Sequence, residues 1–242
     1  MYHLFLTSNF GASLPRNNRQ RHEEHGLSRM LAERWPQTAA RCLFMASYPD
    51  EHEAMRRYGR QLSQACKRLG LPVKYMHVAD HKYPQRAAQV ERYDVVILAG
   101  GHVPTENAFF HEVNLAEHLH SFEGIIIGIS AGSMNSATTV YAAPEEEGEA
   151  VDPAYSRYLQ GLGLTEISVL PHFQHVASTT LDGLAMLEEI LLPDSAQRPF
   201  MALPDGSFIL EEEGKTWLGG PAYWIENGTI EPLGTPGQCL II

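Results

Sequence analysis

Residues 124–132 read GIIIGISAG, a short apolar run that stops at a serine, Ser130, with a glycine two positions to either side. A run this apolar, with no polar alternation, is what a strand buried on both faces requires. The small residues that follow, SMNSAT, suit a helix packed close against that strand. Comparable runs occupy residues 2–7 (YHLFLT), 41–46 (RCLFMA), 73–77 (VKYMH) and 94–99 (DVVILA). Between two of them, residues 52–69 set Met55, Tyr58, Leu62 and Leu69 at helical spacing with basic residues interleaved, which predicts an amphipathic helix. Buried strands alternating with helices predict an α/β fold with a mostly parallel sheet covered on both faces.

After Leu164 the spacing tightens. Residues 199–203, 207–211 and 215–218 are closely set strand-like runs, and Asn227-Gly228 lies between YWIE and TIEPL. An Asn-Gly pair in that position favours a type I′ hairpin, because both central residues need positive φ. The C-terminal part is therefore expected to add antiparallel strands to the sheet. No repeat or low-complexity linker divides the chain, so residues 1–242 are read as one domain. The acidic, proline-bounded stretch 144–153, PEEEGEAVDP, has the length of a functional loop rather than of a boundary.

Composition narrows the function. A net charge of −11 opposes a phosphate backbone, so no nucleic-acid partner is expected. No apolar run approaches the roughly 18 residues of a membrane span, and residues 1–20 lack the pattern of a secretory leader. A cytoplasmic location is expected, with Cys42, Cys66 and Cys239 as unpaired thiols.

A strand that ends in Gly-x-Ser-x-Gly is the arrangement of a nucleophile elbow: the turn pushes one hydroxyl into a cleft, and flanking glycines relieve Cβ clashes. At the helix start, the N–H of Ala131 could donate to an oxyanion. The strand DVVILA ends in Gly100-Gly101-His102, and in a parallel sheet both strand ends open on one edge. Gly101 N–H is the second candidate oxyanion donor. A serine hydroxyl also needs a base. Of twelve histidines, His172 is the best placed, because it follows the strand-like ISVLP and lies 42 positions after Ser130; His175 is its nearest rival. The imidazole needs a carboxylate in turn, and the acidic loop offers Glu145, Glu146, Glu147, Glu149 and Asp152.

Taken together, LAGGHVPTENAFF, IGISAGSMNSA, the loop ending in VDP, GLGL, LPHF, LPDGSFIL and WLGGPAYWI resemble the S51 peptidases, the group of peptidase E and cyanophycinase. The resemblance implies a three-layer αβα fold similar to class I glutamine amidotransferases, flavodoxin-like in its parallel core. It implies a serine peptidase with Ser130 as nucleophile and His172 as base, needing no metal or organic cofactor. Matching the VDP segment puts the acidic member of the triad at Glu147, with Glu149 in reserve. Two departures stand out. Peptidase E has GGN where this chain has Gly100-Gly101-His102, so Gly100 and His102 are expected to line the cleft. Peptidase E also carries an arginine after its catalytic histidine that helps hold an aspartyl carboxylate, whereas QHVASTTLDGLAMLEE has none.

The expected activity is hydrolysis of a small peptide or amide through an acyl-enzyme, dipeptidase-like, with aspartyl specificity in question. Two rivals stand beside it. One is a non-catalytic amidotransferase-like binding protein. The other is a metal hydrolase prompted by His172-x-x-His175. The C-terminal hairpins leave a homodimer open.

Overall fold

A computed structural model describes residues 2–10 and 24–242; part of the leader reading made on residues 1–20 therefore lies outside the described residues. Five parallel strands form the centre: β1 (His3–Thr7), β2 (Ala40–Met45), β3 (Val73–Ala79), β4 (Val95–Leu98) and β5 (Ile125–Ile129). Their order in the sheet is β1-β5-β4-β2-β3. The apolar runs become strands because each buries both faces. Leu4, Leu6, Leu43, Val96, Leu98 and Ile126 enter one hydrophobic layer. Phe5, Cys42, Phe44, Val95, Ile97 and Ile127 enter the other.

Helices cover both layers. α1 (Leu27–Arg34) and α2 (His52–Arg68) bring Met30, Leu31, Met55 and Leu62 onto one face. α3 (Val103–Glu112), α4 (Leu115–Leu119) and α5 (Ala131–Asn135) cover the opposite face with Phe109, Phe110, Leu119 and Met134. α2 spans the residues that the periodicity predicts, with Gly59 set where a Cβ would reach only ordinary contact with Val78. No helix among the described residues is long and apolar enough to cross a membrane.

Beyond α5 come β6 (Thr139–Tyr141), β7 (Tyr158–Gln160), β8 (Val169–Leu170), α6 (Phe173–Val176), β9 (Thr180–Leu181) and β10 (Leu184–Ala185). β11 (Phe200–Ala202), β12 (Phe208–Glu212), β13 (Lys215–Gly219), β14 (Ala222–Glu226), β15 (Thr229–Leu233) and β16 (Cys239–Ile241) complete the chain. β12 adds antiparallel to β1, and β13 and β16 follow it outward, so the main sheet has eight strands. The remaining strands correct the expectation that the whole C-terminal part extends this sheet. β8, β11, β14 and β15 form a separate sheet of four, with β8 and β11 parallel. The hairpin of that sheet turns at Asn227 (φ 50°) and Gly228 (φ 73°), as a type I′ turn needs.

Two contacts bind α5 to its surroundings. Gly132 packs on β4 so closely that a Cβ there would lie 2.3 Å from the Leu98 carbonyl oxygen. Asn135 donates from Nδ2 to Glu106 Oε2 at 2.9 Å and to the Val103 carbonyl at 3.2 Å, and accepts from Asn107 Nδ2 at 3.0 Å. Glu106 is fully buried, and its Oε1 has no hydrogen-bond partner among the described residues. Burial, reinforced by the charge of Glu145, pushes its carboxyl well above the ordinary range despite the bond from Asn135.

Two outcomes follow from these contacts. Gly132→Ala should lower unfolding free energy by about 1–3 kcal/mol in urea titration, the usual cost of forcing atoms into a packed core. For Glu106 the sign is set by its raised value: the native state keeps a proton that the unfolded chain releases above about pH 4.3. Its contribution to stability is intact below that pH and is lost as pH rises, at up to about 1.4 kcal/mol per pH unit. Glu106→Gln should therefore gain on the wild type as pH rises above about 4.3. A constant difference above that pH would contradict a protonated Glu106.

Candidate active site

Ser130 sits between β5 and α5 with φ 50° and ψ −112°, a conformation that non-glycine residues rarely hold. Its surroundings enforce it. Ser130 N donates to the Thr7 carbonyl at 3.0 Å, and Thr7 Oγ1 donates to the Gly128 carbonyl at 2.7 Å. Ser133 Oγ accepts from Thr7 N at 2.8 Å and donates to the Thr7 carbonyl at 2.9 Å. A Cβ on Gly128 would stand 2.7 Å from Ser133 Cα, so the glycine two residues before the serine is required for the turn to close.

His172 lies just past β8 in a left-handed conformation (φ 55°, ψ 29°), with its N–H donating to Ser8 Oγ at 2.8 Å. The structure brings it to Ser130: His172 Nε2 is 3.1 Å from Ser130 Oγ. On the other side of the ring, Nδ1 is 2.7 Å from Asp205 Oδ1. A carboxylate only accepts, so Nδ1 carries the proton and Nε2 is left to accept from the serine hydroxyl. Ser8 Oγ donates to the same Asp205 oxygen at 2.8 Å. Asp205 is nearly buried, and burial alone would raise its carboxyl. The hydrogen bond and charge of His172, with the bonds from Ser8 and Gln174, outweigh that and hold it below its ordinary value.

The carboxylate beside His172 is thus Asp205, which corrects the expectation of Glu147. Glu147 is exposed in a turn whose N–H groups are capped by other acids. Glu149 Oε2 accepts from the N–H of Glu145 (2.8 Å) and Glu146 (2.9 Å), and Asp182 accepts from Gly148 (2.8 Å) and Ala150 (3.0 Å). Asp152 accepts from the N–H of Ala154, as a turn residue. Glu149, the reserve, binds a different histidine: its Oε1 is 2.7 Å from His102 Nε2, and His102 Nδ1 is 2.7 Å from Thr105 Oγ1. Burial would raise the Glu149 carboxyl, but the two loop N–H groups and His102 draw it below its ordinary value.

Neither Asp205 nor Ser8 stands out in the sequence, because each earns its place by strand pairing. Asp205 belongs to Pro-Asp-Gly, which reads as a turn, and Ser8 ends the first apolar run. The signal available was the antiparallel run after LPDG: a strand pairing β1 in reverse begins at the rim where β1 ends. His172 reaches that rim through β8, whose parallel pairing with β11 sets Leu170 opposite Ala202.

Gly100 lies against the turn, since a Cβ there would be 3.4 Å from Ser130 Cβ. Gly101 packs on Ser47, where a Cβ would come within 2.5 Å of the Ser47 side chain. Ala131 opens α5, so its N–H has no acceptor within the helix. His175 is largely exposed, with Nε2 3.7 Å from Asp205 Oδ2. Among the described residues, the donor atoms of His102, Glu146 and Glu149 come close enough together to hold a cation; His172 and His175 are not in that set.

Residues 13–218 match peptidase family S51. Among solved structures, the chain is similar to a peptidase from an acI-B1 Actinobacterium, 16% identical with a TM-score of 0.66, covering 100% of this chain and 97% of that one. It is also similar to a putative peptidase E protein from Listeria monocytogenes EGD-e, 15% identical with a TM-score of 0.59, over 89% of this chain and 96% of that one. A stretch of 93 residues is 28% identical to a proline–tRNA ligase from Synechococcus sp. (strain CC9311), covering 38% of this chain; the chain spans 15% of the length of that curated relative. The two solved structures share the α/β fold, and the family match runs through the elbow, His172 and Asp205. This chain therefore belongs to peptidase family S51 and counts among the serine-type peptidases.

Proposed function

We propose that the chain hydrolyses a small peptide or amide through an acyl-enzyme, with Ser130 as nucleophile, His172 as base and Asp205 as the group that orients His172. The observation that carries this reading is the continuous chain from Ser130 Oγ through His172 (3.1 Å) to Asp205 (2.7 Å). His172 Nε2 takes the hydroxyl proton as Ser130 Oγ bonds the substrate carbonyl carbon. The N–H groups of Gly101 and Ala131 hold the resulting oxyanion, with Gly100 and His102 beside the substrate. The imidazolium then gives its proton to the leaving amine as the C–N bond breaks, leaving an ester on Ser130. Water, deprotonated by His172, attacks the ester, and Oγ departs and recovers its proton.

Asp205 holds one tautomer and stabilises the imidazolium, and Ser8 holds Asp205. A cavity of about 270 Å³ beside Ser130 and His172 supports a substrate of dipeptide scale. Three unpaired cysteines, Cys42 and Cys66 among them buried, fit a reducing, cytoplasmic setting.

A fluorophosphonate probe should label Ser130, and Ser130→Ala should lose both the label and turnover, by about 10⁶ in rate. An unlabelled wild type would leave a folded but unactivated elbow and end the proposal. The choice of acid is tested separately: Asp205→Asn should lower kcat by about 10⁴, because the amide stabilises the wrong tautomer. Glu147→Gln should stay within about twofold of wild type, as expected of an exposed turn residue; the reverse ranking would restore the loop acid.

A further inference from the structure

The cavity beside Ser130 has mostly apolar walls. Met134, Leu170, Val176, Leu181 and Met186 face it, and Ser130 and His172 stand at its edge. Neither lysine nor arginine lines it. Arg157, in the neighbouring segment, stands off the lining: Nη2 donates to the Ala150 carbonyl at 3.2 Å, Nε is 3.8 Å from the Asp194 carboxylate, and Nη1 has no hydrogen-bond partner among the described residues. The one carboxylate on the cavity lining is that of Glu145.

Glu145 is held by its backbone, whose N–H donates to Glu149 Oε2 at 2.8 Å, while its own carboxylate has neither hydrogen bond nor ion pair with any described residue. The residue is open to solvent. A second carboxylate brought into the cavity by a substrate would meet like charge at Glu145 with no lysine or arginine on the lining to offset it. An ammonium would meet opposite charge, while an aliphatic body covers the apolar walls.

We infer that this cavity selects an acyl group with an apolar body and an ammonium, and rejects an aspartyl group, with Glu145 as the residue that discriminates. This selectivity rests on the proposed role of Ser130 as the nucleophile. The ammonium can come from a free amino terminus or from a lysine-like side chain; the chemistry that Glu145 reads is the same.

Binding to Ser130→Ala protein measures the preference without turnover. By calorimetric titration, leucinamide should bind at least about tenfold more tightly than N-acetyl-leucinamide, which lacks the ammonium, and than aspartic acid α-amide. N-acetyl-lysinamide distinguishes the sources: affinity above that of leucinamide places the ammonium on the side chain, and affinity below it places the ammonium at the amino terminus. Adding Glu145→Gln should bring these ratios to within about threefold, and Glu145→Asp should keep their order. Aspartic acid α-amide binding as tightly as leucinamide, ratios unmoved by Glu145→Gln, or no binding of leucinamide would each overturn the inference. Probe labelling of wild-type Ser130 reports separately on the nucleophile, so a pocket that fails and a serine that fails give different results.

Discussion

The backbone at Ser130 is held where an L-residue is strained, and much of the surrounding structure can be understood as what holds it there. Strain of this kind costs about 1–3 kcal/mol and persists only when its neighbours over-determine it. Here β1 supplies the clamp through Thr7, which bonds to Gly128, Ser130 and Ser133, and Gly132 lets α5 approach the end of β4. The parallel pairing of β1 with β5, Thr7 opposite Ile129, is what sets those groups at the right height. The five-strand core is therefore the scaffold for one turn as well as the bearer of two hydrophobic layers.

The C-terminal strands contribute to the site in a different way. Because β12 runs antiparallel to β1, its leading end lies at the trailing end of β1, and the loop before it delivers Asp205 to Ser8. The smaller sheet supplies His172 at the same place, since β8 and β11 run parallel and Leu203 N–H donates to the Leu170 carbonyl at 2.8 Å. One hydroxyl, Ser8 Oγ, takes the His172 N–H and gives its proton to Asp205, tying the two sheets together at the reactive rim. The polar chain from Asp205 to Ser130 thus draws on β1, β5, β8 and β11–β12, and no one segment of sequence contains it.

Electrostatically, the rim holds two histidine–carboxylate pairs with separate partners. His172 faces Asp205 and the hydroxyl, whereas His102 faces Glu149 and Thr105 and anchors the acidic loop over the start of α3. That anchoring spends Glu149 on its own loop and leaves Glu145 beside the cavity, on a lining without lysine or arginine. Tyr155, close to the same acids, is shifted upward by burial and then by the charges of Glu149 and Glu145.

By itself the sequence determined the parallel core and the serine turn. Apolar runs too continuous for a half-exposed strand have one low-energy destination, and Gly128 and Gly132 around Ser130 mark a turn whose close contacts tolerate no Cβ. Asn227-Gly228 was legible for the same local reason, since both residues need positive φ. Long-range pairing alone decided the rest. A carboxylate inside a proline-bounded loop and one in a Pro-Asp-Gly turn look equally solvated in one dimension, and motif matching reaches Glu147 but not Asp205, because loop motifs can be matched while strand register cannot. The partition of the C-terminal strands into two sheets was hidden for the same reason: which strand a short apolar run pairs with depends on backbone hydrogen bonds to residues about 30 positions away for β8 with β11 and about 200 for β1 with β12, and those bonds exist only once the chain has folded.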